Sequence, residues 1–260
     1  MSGINLNNVT LLITHFNRTK SLTRLLNSFK NLDMIFSEII VSDDNSDLNA
    51  RKELLELQKE HNFNLIQTDQ NKGLGNNINK GQSQVQTPYT LYIQEDFFPK
   101  EKFKGVIEAA IQLMEKSNDI DIVRFYAYGR YPYLRPYSEK FYEMKFSLTL
   151  PGYKKFYYYS DHPHLKRRSF IDKFGRYAEG YNPEQTEYRM MMSFLQNKGK
   201  GIFYYDHKEL FEHFNSSEEP STMKRVNWRR SKFFIIAFTR DIYRHLKFNS
   251  DYLFGDFRNL

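Results

Sequence analysis

Three pairs of polar residues in this chain each follow a short apolar run. Thr14-His15 follows VTLLI, Asp43-Asp44 follows EIIVS, and Glu95-Asp96 follows YTLYIQ. Acids at the carboxyl end of a strand in an α/β sheet lie where such sheets bind ligands. A carboxylate there, beside a phosphorylated ligand, commonly holds a divalent cation. The competing reading of Glu95-Asp96 is a solvated turn that caps the next helix. A fourth polar stretch, Asn71-Lys72-Gly73-Leu74-Gly75, opens a helix pattern. Glycines before a helix let backbone N–H groups approach a phosphate. No Lys-Ser/Thr pair follows, so the stretch matches a phosphate loop only loosely.

These groups must be positioned by regular elements, and the first 125 residues supply them. Strand runs are expected at 9–14, 38–42, 64–68, 89–94 and 121–126. Helices are expected between them. In the first, Leu22, Leu25, Leu26 and Phe29 share one face, with Thr19 or Ser21 as cap. The second spans 48–60 with Leu54, Leu55 and Leu57 inward, and the third runs from about 71 to 84. The fourth, 100–116, turns Phe103, Val106, Ile107, Ala110, Ile111 and Met114 to the core. Alternating strands and helices predict an α/β fold, a mainly parallel sheet with helices on both faces. The three polar pairs then converge at one edge, which favours a ligand site over capping.

From 128 to 159 periodicity is lost and Tyr and Pro dominate, so an irregular excursion over the sheet edge is expected. A short helix near 169–174 ends at Gly175, and 184–197 reads as a helix with Tyr188, Met191, Met192 and Leu195 inward. Residues 201–205 form a strand, and His213 lies in the loop that follows. The last element, 228–248, is a basic amphipathic helix. It either packs on the core with Phe233, Phe234, Ile236, Ala237 and Ile242, or lies on an anionic membrane face.

At 260 residues the chain can bury a sizeable core. Its 40% hydrophobic and 27% charged residues suit a globular protein. The absence of cysteine excludes disulfides and thiolate metal sites. A net charge of +7 favours anionic partners such as nucleotides or phospholipid surfaces. The arginines are dispersed and no nucleic-acid motif is present, so nucleic acid is not an expected partner. No signal peptide is read at the N-terminus, and no apolar run reaches the ~18 residues of a membrane span. The expected location is cytoplasmic, with peripheral contact at the inner membrane face through 228–248.

Taken in order, these landmarks resemble glycosyltransferase family 2, inverting nucleotide-sugar enzymes of the GT-A fold. LLITHFNR is similar to that family's opening strand and turn, and EIIVSDDNSD to its second-strand signature. NKGLGNNINKG is similar to its Asn-x-Gly loop, YTLYIQEDFFP stands in the place of its DxD strand, and GYNPEQTEYRMMMSFLQNKG is similar to its later acidic helix. The matches span roughly residues 9–200. The resemblance implies a GT-A domain over 1–225, with 1–125 as nucleotide-binding half and 126–225 as acceptor-binding half. Residues 226–260 form a C-terminal helical extension.

The resemblance also implies roles. Thr14, Asp44 and Asn45 would contact the nucleotide, with Glu95 at the ribose or a metal-bound water. A carboxylate accepting the imide N–H selects uracil or thymine over cytosine. Asp96 would bind a divalent metal, Mn or Mg, that bridges the diphosphate, with His213 as a further ligand. Gln94 replaces the first acid of the DxD element, so metal dependence stays open. His213 reads equally as a hydrogen-bonded loop residue. Glu187 would be the catalytic base, with Glu184 as alternative. His15, His162 and His164 are expected to be structural, with His162 or His164 as candidates for the acceptor pocket. The implied partners are a UDP- or TDP-sugar donor and a glycan or lipid-diphosphate-linked acceptor, in surface polysaccharide biosynthesis. Two rival readings remain. A nucleotidyltransferase would carry a glycine in the first turn, which THFNR lacks. A catalytically degenerate module of the same fold, binding nucleotide or glycan without turnover, is the other.

Overall fold

A computed structural model describes residues 3–214 and 234–258. The chain opens β1 (Ile4–His15), α1 (Thr19–Asn31), β2 (Met34–Asp43), α2 (Leu48–His61), β3 (Asn64–Ile66), α3 (Gly73–Gln82) and β4 (Tyr89–Gln94). Short β5 (Phe97–Pro99), α4 (Phe103–Lys116) and β6 (Ile122–Arg124) follow. Next come β7 (Leu134–Ser138), β8 (Phe141–Met144), β9 (His164–Arg167), α5 (Phe170–Phe174), α6 (Pro183–Gln196), β10 (Gly201–Tyr204), β11 (Phe211–His213) and α7 (Phe234–Phe254).

Nine strands form one sheet in the order β3-β2-β1-β4-β9-β6-β10-β8-β7. Its first half is parallel, with β1 between β2 and β4. The apolar runs of β1 and β4 are buried on both faces, as central parallel strands require. Leu11 and Ile13 of β1 and Leu91 and Ile93 of β4 join one core with Leu22, Leu25 and Phe29 of α1, Leu54 of α2 and Phe103 and Ile107 of α4. Leu12 and Tyr92 point the other way, into a second core with Ile78 of α3, Phe170 and Phe174 of α5 and Met190, Met191 and Phe194 of α6. Helices therefore cover both faces. Every α1 and α4 residue expected inward is buried.

The second half of the sheet is mixed. β9 lies antiparallel between β4 and β6, while β10 runs parallel to β6 and antiparallel to β8. The stretch 128–159 is therefore not simply irregular: β7 and β8 pair antiparallel and carry the sheet to its far edge. Their sequences, LRPYS and FYEM, lack a clean period of two, so the hairpin gave no sequence signal.

Other expectations are corrected locally. Leu55 is 48% exposed, because the buried face of α2 runs through Ala50, Leu54 and Leu57. Neither Thr19 nor Ser21 caps α1; both are buried inside the helix, and Arg18 precedes it. His213 sits in β11, not a loop. The C-terminal helix extends to Phe254, and 228–233 lie outside the described residues. α7 packs by Phe248 against Phe156 and Tyr188, and Gln196 donates to the carbonyls of Tyr252 and Gly255. Ile242, expected inward, is 44% exposed on the opposite side. Among the described residues no helix is long and apolar enough to cross a membrane.

Candidate functional site

The first turn is built from within. His15 Nε2 accepts the Arg18 backbone N–H at 3.2 Å, so the ring proton must sit on Nδ1, which donates to Asp43 Oδ1 at 2.8 Å. Ser46 donates its hydroxyl to the same oxygen at 2.5 Å. Burial opposes ionisation of Asp43, but the bonds from His15 and Ser46 outweigh it and hold the carboxyl below its usual range. Asn17, in the left-handed region at φ 55°, donates its N–H to Ser46 Oγ at 2.8 Å. His15 and Asp43 are thus structural: they lock the 15–18 turn onto the 43–47 turn.

That lock aims Arg18 across the edge of the sheet. Its guanidinium donates to Glu95 at 3.4 Å and to Asp96 at 3.1 Å. Burial first, and then the Asp96 charge, push Glu95 up to about 7 against the pull of Arg18. Asp96 behaves oppositely. Burial raises it, but the bond to His213 and the charge of Arg18 prevail, and it stays below the carboxylate range. Strand β11 explains His213. Its antiparallel pairing with β5 sets His213 opposite Phe97, and His213 Nε2 lies 3.2 Å from Asp96 Oδ2.

Asp96 Oδ1 is buried with no hydrogen-bond partner among the described residues. An unpaired carboxylate oxygen facing inward is costly, and a cation relieves that cost. Asp96 and His213 are two donors, and among the described residues no third His, Asp or Glu completes a protein cage. Hard divalent ions bound to phosphorylated ligands use one or two carboxylates and take other ligands from phosphate and water. The donor set fits such an ion.

Asp44 is buried at the start of α3. Its two carboxylate oxygens accept the backbone N–H groups of Lys72 and Gly73, at 2.9 and 2.8 Å. Two of the N–H groups in the 71–75 stretch, those of Lys72 and Gly73, are thus taken by Asp44 and not left for a phosphate. Gly73 adopts φ +82°, and a Cβ at Gly75 would stand 2.2 Å from the Ala178 carbonyl oxygen, so α3 and the 175–180 loop approach backbone to backbone. Thr14 Oγ1 lies 3.0 Å from Tyr92 Oη. Asn45, at φ 61°, accepts a bond from Arg51.

The second acid group lies across β6 and β9. Glu187 projects from α6 toward Asp161 and Arg124, whereas Glu184 is exposed in the first turn. Asn182 caps the helix, accepting the Gln185 N–H at 2.9 Å. Burial, then the Asp161 charge, push Glu187 up to about 8, with Arg124 opposing. Arg124 is buried in β6 and donates to the Tyr157 carbonyl at 2.8 Å and to Ser160 Oγ at 2.6 Å. Its own pKa falls to about 10 through burial.

His162 joins the two groups. Its Nδ1 lies 3.1 Å from Ser160 Oγ, and its ring packs edge-on against Phe97, Tyr126 and Tyr128. Tyr128 in turn packs against His213 with ring centres 5.6 Å apart. Burial, then Arg124, drive His162 down to about 3, so its ring is neutral. His164 is fully buried and structural. A groove of about 490 Å³ lined by Gln82, Pro88, Arg167, Arg168 and Arg176 lies at the amino end of β4, away from these acids.

Sequence reasoning missed Arg18, Arg124, Asp161 and Lys166 as members of this constellation. Arg124 had a readable signal, a cation inside the apolar run DIVRFY. Lys166 had none, because β9 reads as HLKR, a polar and basic string, and Asp161 lies in the aperiodic bend before that strand.

Parallel strands with acids at their carboxyl ends, continued by a mixed second half, make this an α/β protein of the GT-A type. The family description "Glycosyl transferase family 2" matches residues 10–176, more than half the chain, and the protein belongs to that family. Among solved structures it is similar to residues 1–349 of S. aureus TarS in complex with UDP-GlcNAc, with a TM-score of 0.60 at 15% identity, covering 95% of this chain and 66% of that one. It is also similar to GalNAc-T7 with UDP, GalNAc and Mn2+, with a TM-score of 0.58 at 14% identity, covering 84% of this chain and 46% of that one. The poly-beta-1,6-N-acetyl-D-glucosamine synthase of Staphylococcus epidermidis is 26% identical over 88 residues, 34% of this chain and 21% of that enzyme. The chain thus spans about a fifth of that curated relative.

Proposed function

We propose that this protein is an inverting glycosyltransferase that moves a sugar from a UDP- or TDP-linked donor to a hydroxyl of a glycan or lipid-diphosphate-linked acceptor, in surface polysaccharide assembly. The observation that carries the reading is the pairing of two acid groups across the edge of one sheet. Asp96 with His213 lies at one side, Glu187 beside Arg124 at the other, and His162 stands between them. The UDP and UDP-GlcNAc in the neighbours' crystals and the glucosamine polymer named for the synthase support a uridine donor.

Thr14, Asp44, Asn45 and Glu95 form the nucleotide site in this reading. A carboxylate has about four lone-pair sites, so Asp44 keeps capacity for a base N–H beyond its two internal bonds. Asp96 and His213 would hold the divalent ion, and the Mn2+ in the GalNAc-T7 crystal supports this. Bound there, it would supply Lewis-acid neutralisation of the leaving diphosphate. Glu187, as carboxylate, takes the proton of the acceptor hydroxyl while that oxygen forms a bond to the anomeric carbon. The bond to the diphosphate oxygen breaks on the opposite face. One such displacement inverts the centre, so an α-linked donor yields a β-linkage. A base with its pKa near 8 is well matched to proton removal near neutral pH.

Residues 1–125 form the donor half and 126–225 the acceptor half, where Tyr126, Tyr128 and His162 offer ring faces to a sugar. The exposed Phe238, Ile242 and Leu246 on α7, with Arg240 and Arg244, suit peripheral contact with an anionic cytoplasmic membrane face.

The test is a thermal-shift screen with UDP, TDP, GDP and CDP, each with and without Mn2+. Stabilisation by UDP or TDP that requires Mn2+ and vanishes in Asp96→Ala is expected. No shift with any nucleotide would overturn transfer. Mn2+-dependent binding with no turnover would favour the degenerate binding module, a reading kept alive by Gln94 in place of the first acid.

A further inference from the structure

Beneath Glu187 runs a line of buried polar groups that the transfer reaction does not use. Lys166, on β9, is fully buried. Its ammonium donates to Tyr177 Oη at 3.0 Å and lies 4.9, 5.2 and 5.5 Å from the ring centres of Tyr177, Phe170 and Tyr92. Tyr177 Oη and Tyr159 Oη are 2.7 Å apart, and Tyr159 donates to Asp161 Oδ1 at 2.8 Å. The proton order follows from the two ends. An ammonium only donates and a carboxylate only accepts. Tyr159 therefore spends its proton on Asp161, and Tyr177 must donate to Tyr159. Every bond points from Lys166 toward Asp161, the arrangement in which hydrogen bonds reinforce one another. At the far end the Glu187 carboxyl faces the Asp161 backbone N–H.

Burying an ammonium or a carboxylate is costly unless each has a compensating partner. The two tyrosines give Lys166 and Asp161 that compensation at a distance. We propose that Asp161 is the positioning residue for Glu187, and that the Tyr159–Tyr177–Lys166 chain fixes and charge-balances it from inside the core. The proposal rests on Glu187 as the base. The Glu187 anion is repelled by the Asp161 charge and favoured by the Asp161 N–H that it faces and by Arg124 on β6. Glu184 on α6 and Tyr157 in the turn before β9 complete the titratable groups that face it. Asp161 in turn faces Tyr159, Tyr177, Tyr92 and Lys166. The directions agree with the geometry. Burial raises Asp161 only to about 6, because Tyr159 and Lys166 oppose it, and burial lowers Lys166 to about 7 against the pull of Asp161. The outcome is a base whose charge state is set from the core side as well as from the cleft.

The test is a pH titration of the side-chain carboxyls by 13C NMR on the full chain, with Glu187 and Asp161 assigned through Glu187→Gln and Asp161→Asn. In Asp161→Asn the Glu187 midpoint is expected to fall by about one unit or more, since a like charge is lost. In Lys166→Met the Asp161 midpoint should rise by a similar amount, and Tyr177→Phe, which removes one hydroxyl from the middle, should move it the same way. A Glu187 midpoint unmoved in Asp161→Asn, or an Asp161 midpoint unmoved in both chain variants, would overturn the proposal. Should Asp161→Asn or Lys166→Met fail to fold, Tyr159→Phe keeps the ring and carries the same expectation for Asp161. The titrations do not depend on turnover. Full activity in Glu187→Gln would remove the base and leave the chain, whereas unmoved midpoints would remove the chain and leave the base.

Discussion

Replacing Glu187 with glutamine removes a carboxyl that gives up its proton in the fold only at about pH 8, and the consequence for stability depends on pH. Glu187 titrates near 8 in the native protein, against 4.5 for an ordinary glutamate, because burial and the Asp161 charge disfavour its anion. Between those values the folded state binds a proton that the unfolded chain has released. Stability must therefore fall as pH rises through this window, by about 1.4 kcal/mol per unit. Glutamine is close in shape to the protonated acid and does not titrate. At pH 5.5 most of the native advantage of Glu187 is still present, and at pH 7.5 most of it is gone. Relative to wild type, Glu187→Gln should gain about 2–3 kcal/mol between pH 5.5 and 7.5. Urea denaturation at the two pH values, with the urea dependence of each protein checked for constancy, measures the difference. An offset between the two proteins that is equal at both pH values would refute the reasoning, because it would mean that Glu187 ionises as freely in the fold as in water.

Two further expectations concern the donor side. Arg18→Ala leaves Glu95 and Asp96 adjacent without the guanidinium that lies against both; breaking a buried pair of this kind costs about 3–5 kcal/mol. Added Mn2+ should recover more of the melting temperature in that variant than in wild type, and equal Mn2+ effects would show that Arg18 does not hold the site's charge. Gly75→Ala puts a methyl group 2.2 Å from the Ala178 carbonyl oxygen, a backbone atom that cannot rotate away. The loss should be about 3 kcal/mol or more by chemical denaturation, and a loss under about 1 kcal/mol would mean that α3 and the 175–180 loop separate easily.

The first half of the sheet was legible because its signals are local. An apolar run such as LLI must be a strand buried on both faces, and the acids that follow EIIVS and YTLYI then have one place to go. The amphipathic faces of α1 and α4 were equally plain. Legibility failed where an element owes its existence to its neighbours. HLKR becomes β9 because β4 and β6 satisfy its backbone from both sides, and its lysine is buried because three rings and a phenol receive the ammonium. Nothing within four letters encodes that. The same holds for His213, whose place beside Asp96 depends on the pairing of β11 with β5. Only the orientation of α6 sets Glu187 toward Asp161 and Arg124 and leaves Glu184 exposed. Leu55 shows the converse failure, a leucine at an apolar-looking position that faces solvent.

The antiparallel strand β9 also has a consequence for how the chain is made. A ribosome releases β1 to β4 well before His164–Arg167, with about seventy residues between β4 and its second neighbour. At synthesis rates of about 5–20 residues per second, the edge of β4 stands open for several seconds. An unpaired edge of this kind is a template for pairing with another chain. When β9 inserts, it closes that edge and joins the two halves of the sheet in the same event. The two basic residues in HLKR make this segment a poor strand for self-association while it waits. Slow assembly and aggregation of nascent chains are therefore expected to respond to changes in β9 more than to equally buried changes in β1.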